Sequence, residues 1–379
     1  MRRLTNTYAG RLVAWRLPTV HDNRRFPTTD IASSTSPVHL PLRGAAIPDV
    51  ADQPPGSRQI IDWGRLDAVL ERNATTAFLM LRGGEIVRER YFGQTRPESP
   101  VAAFSISKSL LSALVGIALD RHILGSLSEP VLSYLPELTG PGFQAVTLEH
   151  LLTMSAGLRY RRGALPWGED ARYYYAPDRW QMVLRHARVV DPPGTVWNYN
   201  DFSPTILAEV LRRATGDSLT SLTHALLFEP AGIPHSGQWI LDSAATRLEN
   251  AAAGLYATPR TLAAFGQLHL DGGRANCKQV IPEAWVHAST SICDSDSTAL
   301  HDVDFDAFTA DGMAYKYYWW VWRHRPGPAD YLAIGNYGQF IYVAPTTRTV
   351  IVRTGAGWST LGASRWLHLL RDLAHRDSG

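Results

Sequence analysis

The chain has 379 residues, of which 45% are hydrophobic and 19% charged, enough to bury a large core as one big domain or two joined lobes. A formal net charge of +2 is too small to imply a nucleic-acid or membrane partner, and no stretch reaches the roughly 18 apolar residues of a bilayer span. Arg11 and Arg16 break up the apolar N-terminus, so it does not read as a secretory signal. The two cysteines, Cys277 and Cys293, are too few for a disulfide framework and match no metal-ligand spacing, so a cytoplasmic protein with two incidental thiols is expected.

Residues 1–56 are rich in Pro, Arg, Ser and Thr and show little periodicity, which predicts a basic, extended N-terminal arm. Arg2, Arg3, Arg11, Arg16, Arg24, Arg25 and Arg43 are opposed there only by Asp22 and Asp30. Such an arm reads as a solvated strap over the core. Ile60 to Arg72 has helical spacing. FLMLR and EIVRERYF form a strand pair turned by Gly83-Gly84. Ser107 to Leu124 is apolar almost all round and predicts a buried helix. Two short helical segments follow. The stretch from Arg161 to Asp178 (RRGALPWGEDARYYYAPD) is a long aromatic loop without clear periodicity, hence a candidate functional loop. After the turn DPPGTVWNYND come two helices broken at Gly216, then a helix with Thr258 at its N-cap and Pro259 at its first position. YKYYWWVWRHR, ADYLAIGNYGQFIYVAP and TRTVIVRTG are strand-like, and SRWLHLLRDLAHR is a closing helix. The pattern predicts one α/β (α+β) domain over 57–379. A single antiparallel sheet comes from about 57–103 and 250–379, and a helical lobe of about 104–249 is inserted between its halves.

The chemistry begins with lysine. The chain has three, Lys108, Lys278 and Lys316, while its other basic side chains are arginines. Arginine does not give up its proton inside a protein, whereas a desolvated lysine can. Lys108 stands in Ser105-Ile106-Ser107-Lys108, an S-x-x-K at the head of the apolar helix. Residues three apart share a helix face, so the Ser105 hydroxyl and the Lys108 amine can meet. The helix N-terminus adds N–H groups for an oxyanion. The bland reading is an N-cap serine beside a surface lysine. Farther on, Tyr199 in Trp197-Asn198-Tyr199-Asn200-Asp201 is placed on a loop where a tyrosine can relay protons. In Ala333-Ile334-Gly335-Asn336-Tyr337-Gly338, glycines inside a strand pattern mark close approach of a backbone or ligand. No G-x-S-x-G elbow, H-E-x-x-H, C-x-x-C or phosphate-binding glycine loop is present, and no cofactor or metal is expected.

A serine with a lysine three on, a tyrosine loop and a glycine-bearing strand, in that order, resembles the penicillin-recognising serine hydrolases. AFLMLRGGEIVRERYFG, FSISKSLLSALVGIAL, LSEPVLSYLPEL, GTVWNYNDFSPTILAEVLRRATG and GNYGQFIYVAP extend the resemblance over roughly residues 58–375. They are similar to class C β-lactamase-related esterases and amidases, above all to the 6-aminohexanoate-dimer hydrolase-like branch. The resemblance implies a β-lactamase/transpeptidase-like fold with an antiparallel sheet flanked by helices. It implies Ser105 as the acylated nucleophile, Lys108 as its base and Tyr199 as the shuttle to the leaving group. The backbone N–H groups of Ser105 and Asn336 would form the oxyanion hole, with Gly335 and Tyr337 beside the substrate. Two positions depart from the lactamase pattern. Asp201 replaces an asparagine, and Ala333 stands where a lysine would hold the drug's carboxylate, which counts against a β-lactamase. Asp201 either faces the cleft and attracts an amine or caps the following helix.

The expectation is therefore a serine hydrolase acting through an acyl-enzyme on a small ester or amide. The alternative is an ATP-independent acyltransferase that passes the acyl group to an amine or alcohol, with Trp167, Tyr173, Tyr174 and Tyr175 as a lid that excludes water. A third reading, a catalytically dead binding protein on the same fold, is opposed by the joint presence of Ser105, Lys108 and Tyr199. The partner expected is a small molecule, with no oligomeric state implied.

Overall fold

Strands β10 (Gln339–Ala344) and β11 (Thr349–Gly355) are buried along their whole length, which requires cover on both faces and explains their unbroken apolar runs. The computed structural model of the chain describes residues 4–43, 62–163, 168–292, 299–300, 312–322, 328–357 and 361–376; Trp167 and Cys293 lie outside these. In chain order, the elements that position the site begin with helix α1 (Tyr8–Trp15), strand β1 (Thr28–Ile31), helix α2 (Trp63–Arg72) and the hairpin β2 (Thr75–Arg82) and β3 (Glu85–Tyr91). Strand β4 (Val101–Ala102), helices α3 (Ile106–Asp120), α4 (Glu169–Tyr174) and α5 (Phe202–Thr215), strands β5 (Gly237–Ile240) and β6 (Leu255–Ala257) and helix α6 (Pro259–Leu270) follow. Strands β7 (Met313–Lys316), β8 (Trp319–Trp322) and β9 (Tyr331–Gly335) lead into β10 and β11, and α7 (Gly362–His375) closes the chain.

The main sheet runs β7-β8-β9-β10-β11-β2-β3, antiparallel throughout, with α6 and α7 packed on its central strands. Gly83 and Gly84 both take positive φ in the β2–β3 turn, as a two-residue hairpin requires. A second antiparallel sheet, β1-β5-β6-β4, was not expected from the sequence, because strands of two to four residues leave no readable alternation. YKYYWWVWRHR likewise holds two strands rather than one. Tyr317 and Tyr318 turn the chain at φ 45° and 69°, without the Gly or Asn that signals such a turn. Their phenols compensate: Tyr317 donates to Glu149 (2.6 Å) and Tyr318 to the Leu151 carbonyl (3.1 Å).

Helix α3 runs through the interior with thirteen of its fifteen residues buried. At Gly116 an added Cβ would stand 2.2 Å from the Trp285 ring, so only glycine admits that indole. The helix stops at Asp120, short of the expected Leu124, and His122 then turns at φ 55°.

The arm is not simply extended. Thr7 caps α1 by accepting from the Gly10 amide, and β1 pairs with β5. Arg11, 3% exposed, donates to the carbonyls of Thr5, Tyr175 and Ala176. An eight-residue helix is too short to show periodicity, and an arginine spent on carbonyls looks in sequence like a solvated one. No helix among the described residues is long and apolar enough to cross a membrane.

Candidate active site

Phe104 precedes α3 at φ 47°, a left-handed conformation uncommon for a bulky residue, and it sets Ser105 at the head of the helix. Ser105 occupies the N-cap position, yet its side chain makes no capping bond. Its hydroxyl instead accepts from Lys108 Nζ at 3.1 Å, one turn along the same face. The Lys108 ammonium also donates to Asp201 Oδ1 at 2.8 Å and to the Ala252 carbonyl at 2.9 Å, so its three protons have three acceptors. Tyr199 shares one of these protons, and Nζ stands 4.8 Å from that ring's centroid.

Lys108 is 1% exposed, and burial alone would push its pKa down. The Asp201 carboxylate and the hydrogen bonds that the ammonium makes to Asp201 and Tyr199 outweigh burial, and the net direction is upward. The lysine is therefore held as an ammonium, contrary to the expectation that desolvation would free its amine. The reason lies 93 residues away, in a carboxylate where lactamases carry an amide.

Asp201 precedes α5 but makes no side-chain cap; Asn200 does that work, accepting from the Ser203 amide at 2.7 Å. The Asp201 carboxylate lines the cleft while bound to Lys108. Arg162 stands 5.2 Å from the Tyr199 ring and pairs with Asp170 at 3.9 Å. Burial pushes the Asp170 carboxyl up, the nearby Asp201 charge adds to this, and Arg162 pulls the other way. Two acids and two cations thus share one flank of the cleft.

Another part of the lining comes from β9. An added Cβ at Gly335 would lie 2.3 Å from the Ala103 carbonyl, so glycine lets this strand approach the backbone that leads to Ser105. Gly335 pairs with Gln339 across a turn of Asn336, Tyr337 and Gly338, with Tyr337 at φ 61° and Gly338 at φ 74°. Asn336 Oδ1 accepts from the Tyr337 amide at 2.9 Å. Arg353, fully buried, holds the turn from behind. It donates to the carbonyls of Tyr337 (2.9 Å), Gly338 (2.6 Å), Asn73 (2.6 Å) and Gly357 (3.2 Å), and its guanidinium lies 4.4 Å from the Trp366 ring centroid. Burial lowers its pKa to about 9, which leaves it cationic at neutral pH.

The structure brings Ser105, Tyr199, Asp201, Tyr174, Gly335, Asn336 and Tyr337 to one cleft of about 470 Å³, with Lys108 directly beneath it. Trp167 lies outside the described residues. Tyr173 is buried away from the cleft, its hydroxyl sharing a hydrogen bond with Thr205 (2.7 Å), so it is no part of a lid. The 161–178 segment is also not all loop, since α4 forms within it. Sequence reasoning missed Arg162, Asp170, Leu17 and Pro18. The first two sat in the segment already marked as functional; nothing in the arm pointed to the last two.

The family model for β-lactamase matches residues 66–370. The 6-aminohexanoate-dimer hydrolase of Paenarthrobacter ureafaciens is 25% identical over 364 residues, covering 92% of this chain and 85% of that one. Among solved structures, a 6-aminohexanoate-dimer hydrolase-like protein of Bacillus anthracis superposes with a TM-score of 0.79 at 23% identity, over 99% of this chain and 97% of its own. EstCE1, a hydrolase with promiscuous acyltransferase activity, superposes with a TM-score of 0.63 at 15% identity, over 82% of this chain and 96% of its own.

Proposed function

The chain belongs to the β-lactamase family, and from that premise we propose that it is a serine hydrolase that forms an acyl-enzyme with a small ester or amide through Ser105. The observation that carries this reading is the contact of Ser105 Oγ with a buried ammonium that is itself tied to Asp201 and Tyr199. Tyr199 acts as a phenolate: as Ser105 Oγ adds to the substrate carbonyl, its proton passes to the phenolate oxygen. The Lys108 and Arg162 cations offset the negative charge that this oxygen carries before the transfer and regains when the proton moves on. The N–H groups of Ser105 and Asn336 hold the oxyanion, and Arg353 keeps the Asn336 turn in place. The C–O or C–N bond to the leaving group breaks as Tyr199 returns the proton to it. Water then attacks the acyl-enzyme by the same route.

The role of Lys108 here is that of a fixed cation rather than a free base, because Asp201 holds its proton. Asp170 lines the cleft with only a loose 3.9 Å pairing to Arg162, so its carboxyl can take an amine of a substrate that also has an apolar portion, in keeping with the 6-aminohexanoate dimer named for the Paenarthrobacter relative. The same flank supports acyl transfer as a second reading, since an amine seated there would compete with water for the acyl-enzyme.

The test is a panel of acyl esters and amides, with and without amines, whose products are read by mass spectrometry alongside labelling by a fluorophosphonate. Label at Ser105 and lost turnover in Ser105→Ala are expected. Label elsewhere, or full turnover in the alanine protein, would overturn the assignment. Amide or ester products that depend on added amine would favour transfer over hydrolysis.

A further inference from the structure

The family match begins at residue 66, so the arm lies outside it, yet Leu17 and Pro18 of the arm line the same cleft as Ser105. The arm is fixed to the cleft at several points. Tyr337 donates its hydroxyl to the Pro18 carbonyl at 2.6 Å, and its ring packs edge-on against Phe104 at 5.4 Å, next to Ser105. Asp22, fully buried, accepts from the Tyr174 hydroxyl at 2.7 Å and from the amide and hydroxyl of Thr19, which holds the turn after Pro18 against the α4 segment. On the other side Arg11 is bound to the Tyr175 and Ala176 carbonyls. Trp15 and Phe26 pack around these tyrosines, with ring centroids 4.7 Å apart at a tilt and 5.6 Å edge-on from Phe26 to Tyr174. A merely solvated strap would bury neither an aspartate nor an arginine.

We infer that the arm is a specificity-determining wall: Leu17 and Pro18 bound the apolar end of the cleft and limit the length of the aliphatic or aryl portion of the substrate. The inference rests on the serine-hydrolase reading for its site, but not on any particular step. The cleft is divided in character. Arg162, Asp170 and Asp201 make one flank polar, and the arm with Phe104, Ile334 and Tyr337 makes the other apolar. Leu17 is 55% exposed, so it stands at the rim, where its size sets how far an apolar group can extend without its own packing being at stake.

The experiment compares the unaltered protein with Leu17→Trp, Leu17→Ala and Tyr337→Phe on two ester series. One varies the acyl chain of p-nitrophenyl esters from acetate to octanoate; the other varies the alcohol of acetate esters over the same lengths. In one of the series Leu17→Trp should lower kcat/KM for the longest member relative to the shortest by about tenfold, the scale on which hydrophobic pockets discriminate size. Leu17→Ala should move that ratio the other way, and Tyr337→Phe, which frees the Pro18 carbonyl, should flatten it. Calorimetric binding of octanoate against acetate to the same proteins needs no turnover, and octanoate affinity should follow the same order. Unchanged ratios in both series together with unchanged octanoate binding, or an equal fall for all lengths, would overturn the wall. A wild-type protein that hydrolyses nothing while its octanoate affinity still responds to Leu17 would leave the wall standing and remove the hydrolase reading instead.

Discussion

Replacing Asp201 by asparagine removes one partner of a 2.8 Å ion pair whose other member, Lys108, is 1% exposed. Breaking a fully buried pair costs about 3–5 kcal/mol. The asparagine oxygen can still accept from Nζ, and the Asp201 side chain is 17% exposed, so a loss of about 2–3 kcal/mol at neutral pH is expected. With an unfolding entropy of roughly 2.1 cal/mol/K per residue, a 379-residue chain should melt about 3–4 °C lower. The pH dependence has a definite sign. The folded pKa of Lys108 is raised, so its contribution is complete below the ordinary lysine value and is lost only as pH rises through the folded one. The wild-type advantage should therefore persist across neutral pH. In the variant burial is no longer opposed by the carboxylate, and Lys108 should release its proton at lower pH than in the wild type. Phosphonylation of Ser105 by a fluorophosphonate, followed from about pH 6 to 10, should gain an alkaline fall that the wild type lacks, because the cation beside Tyr199 disappears. An identical melting temperature and a superimposable pH profile would refute the ion-pair argument.

Lys108→Arg should slow acylation by about a hundredfold, because a guanidinium fork cannot reach acceptors arranged around one nitrogen; a rate close to wild type would show that charge alone suffices. Chromogenic cephalosporins should turn over far more slowly than simple esters, since Ala333 offers no cation and Arg162 is paired with Asp170; comparable rates would contradict this. His269, buried beside Trp319 with a pKa lowered to about 4 by burial, binds a proton more readily in the unfolded chain. Its contribution is present above the ordinary histidine value and fades as pH falls, by roughly 2 kcal/mol between pH 7 and 5. The acid-induced drop in melting temperature should shrink in His269→Gln, and an unchanged drop would place the acid sensitivity elsewhere.

What the sequence disclosed follows from the range of the interactions involved. Ser105 and Lys108 were legible because their meeting is set by one helical turn. Gly335 was legible because a glycine in a strand announces a close approach, and Ala103 proved to be the approaching backbone. The state of Lys108 was not legible: it depends on Asp201, and the two sides of that question, cap or cleft, differ only in a side-chain rotamer. Arg353 and Arg11 were equally silent. Each is an arginine spent on carbonyls from distant segments, and no local pattern distinguishes that from solvation. The Tyr317-Tyr318 turn escaped notice because its strain is offset by contacts to Glu149 and Leu151, far away in the chain.

The arm has a consequence for how the protein comes off the ribosome. Strand β1 finds its partner only when Ile240 has been made, and the Pro18 carbonyl meets its donor only at Tyr337. At elongation rates of about 5–20 residues per second, the arm waits roughly 15–60 s for the last wall of the cleft. During that interval Trp15 and Phe26 and an unpaired strand edge are open to other chains. Yield from cells should therefore respond to translation speed and to chaperone supply more than the finished protein's stability would suggest.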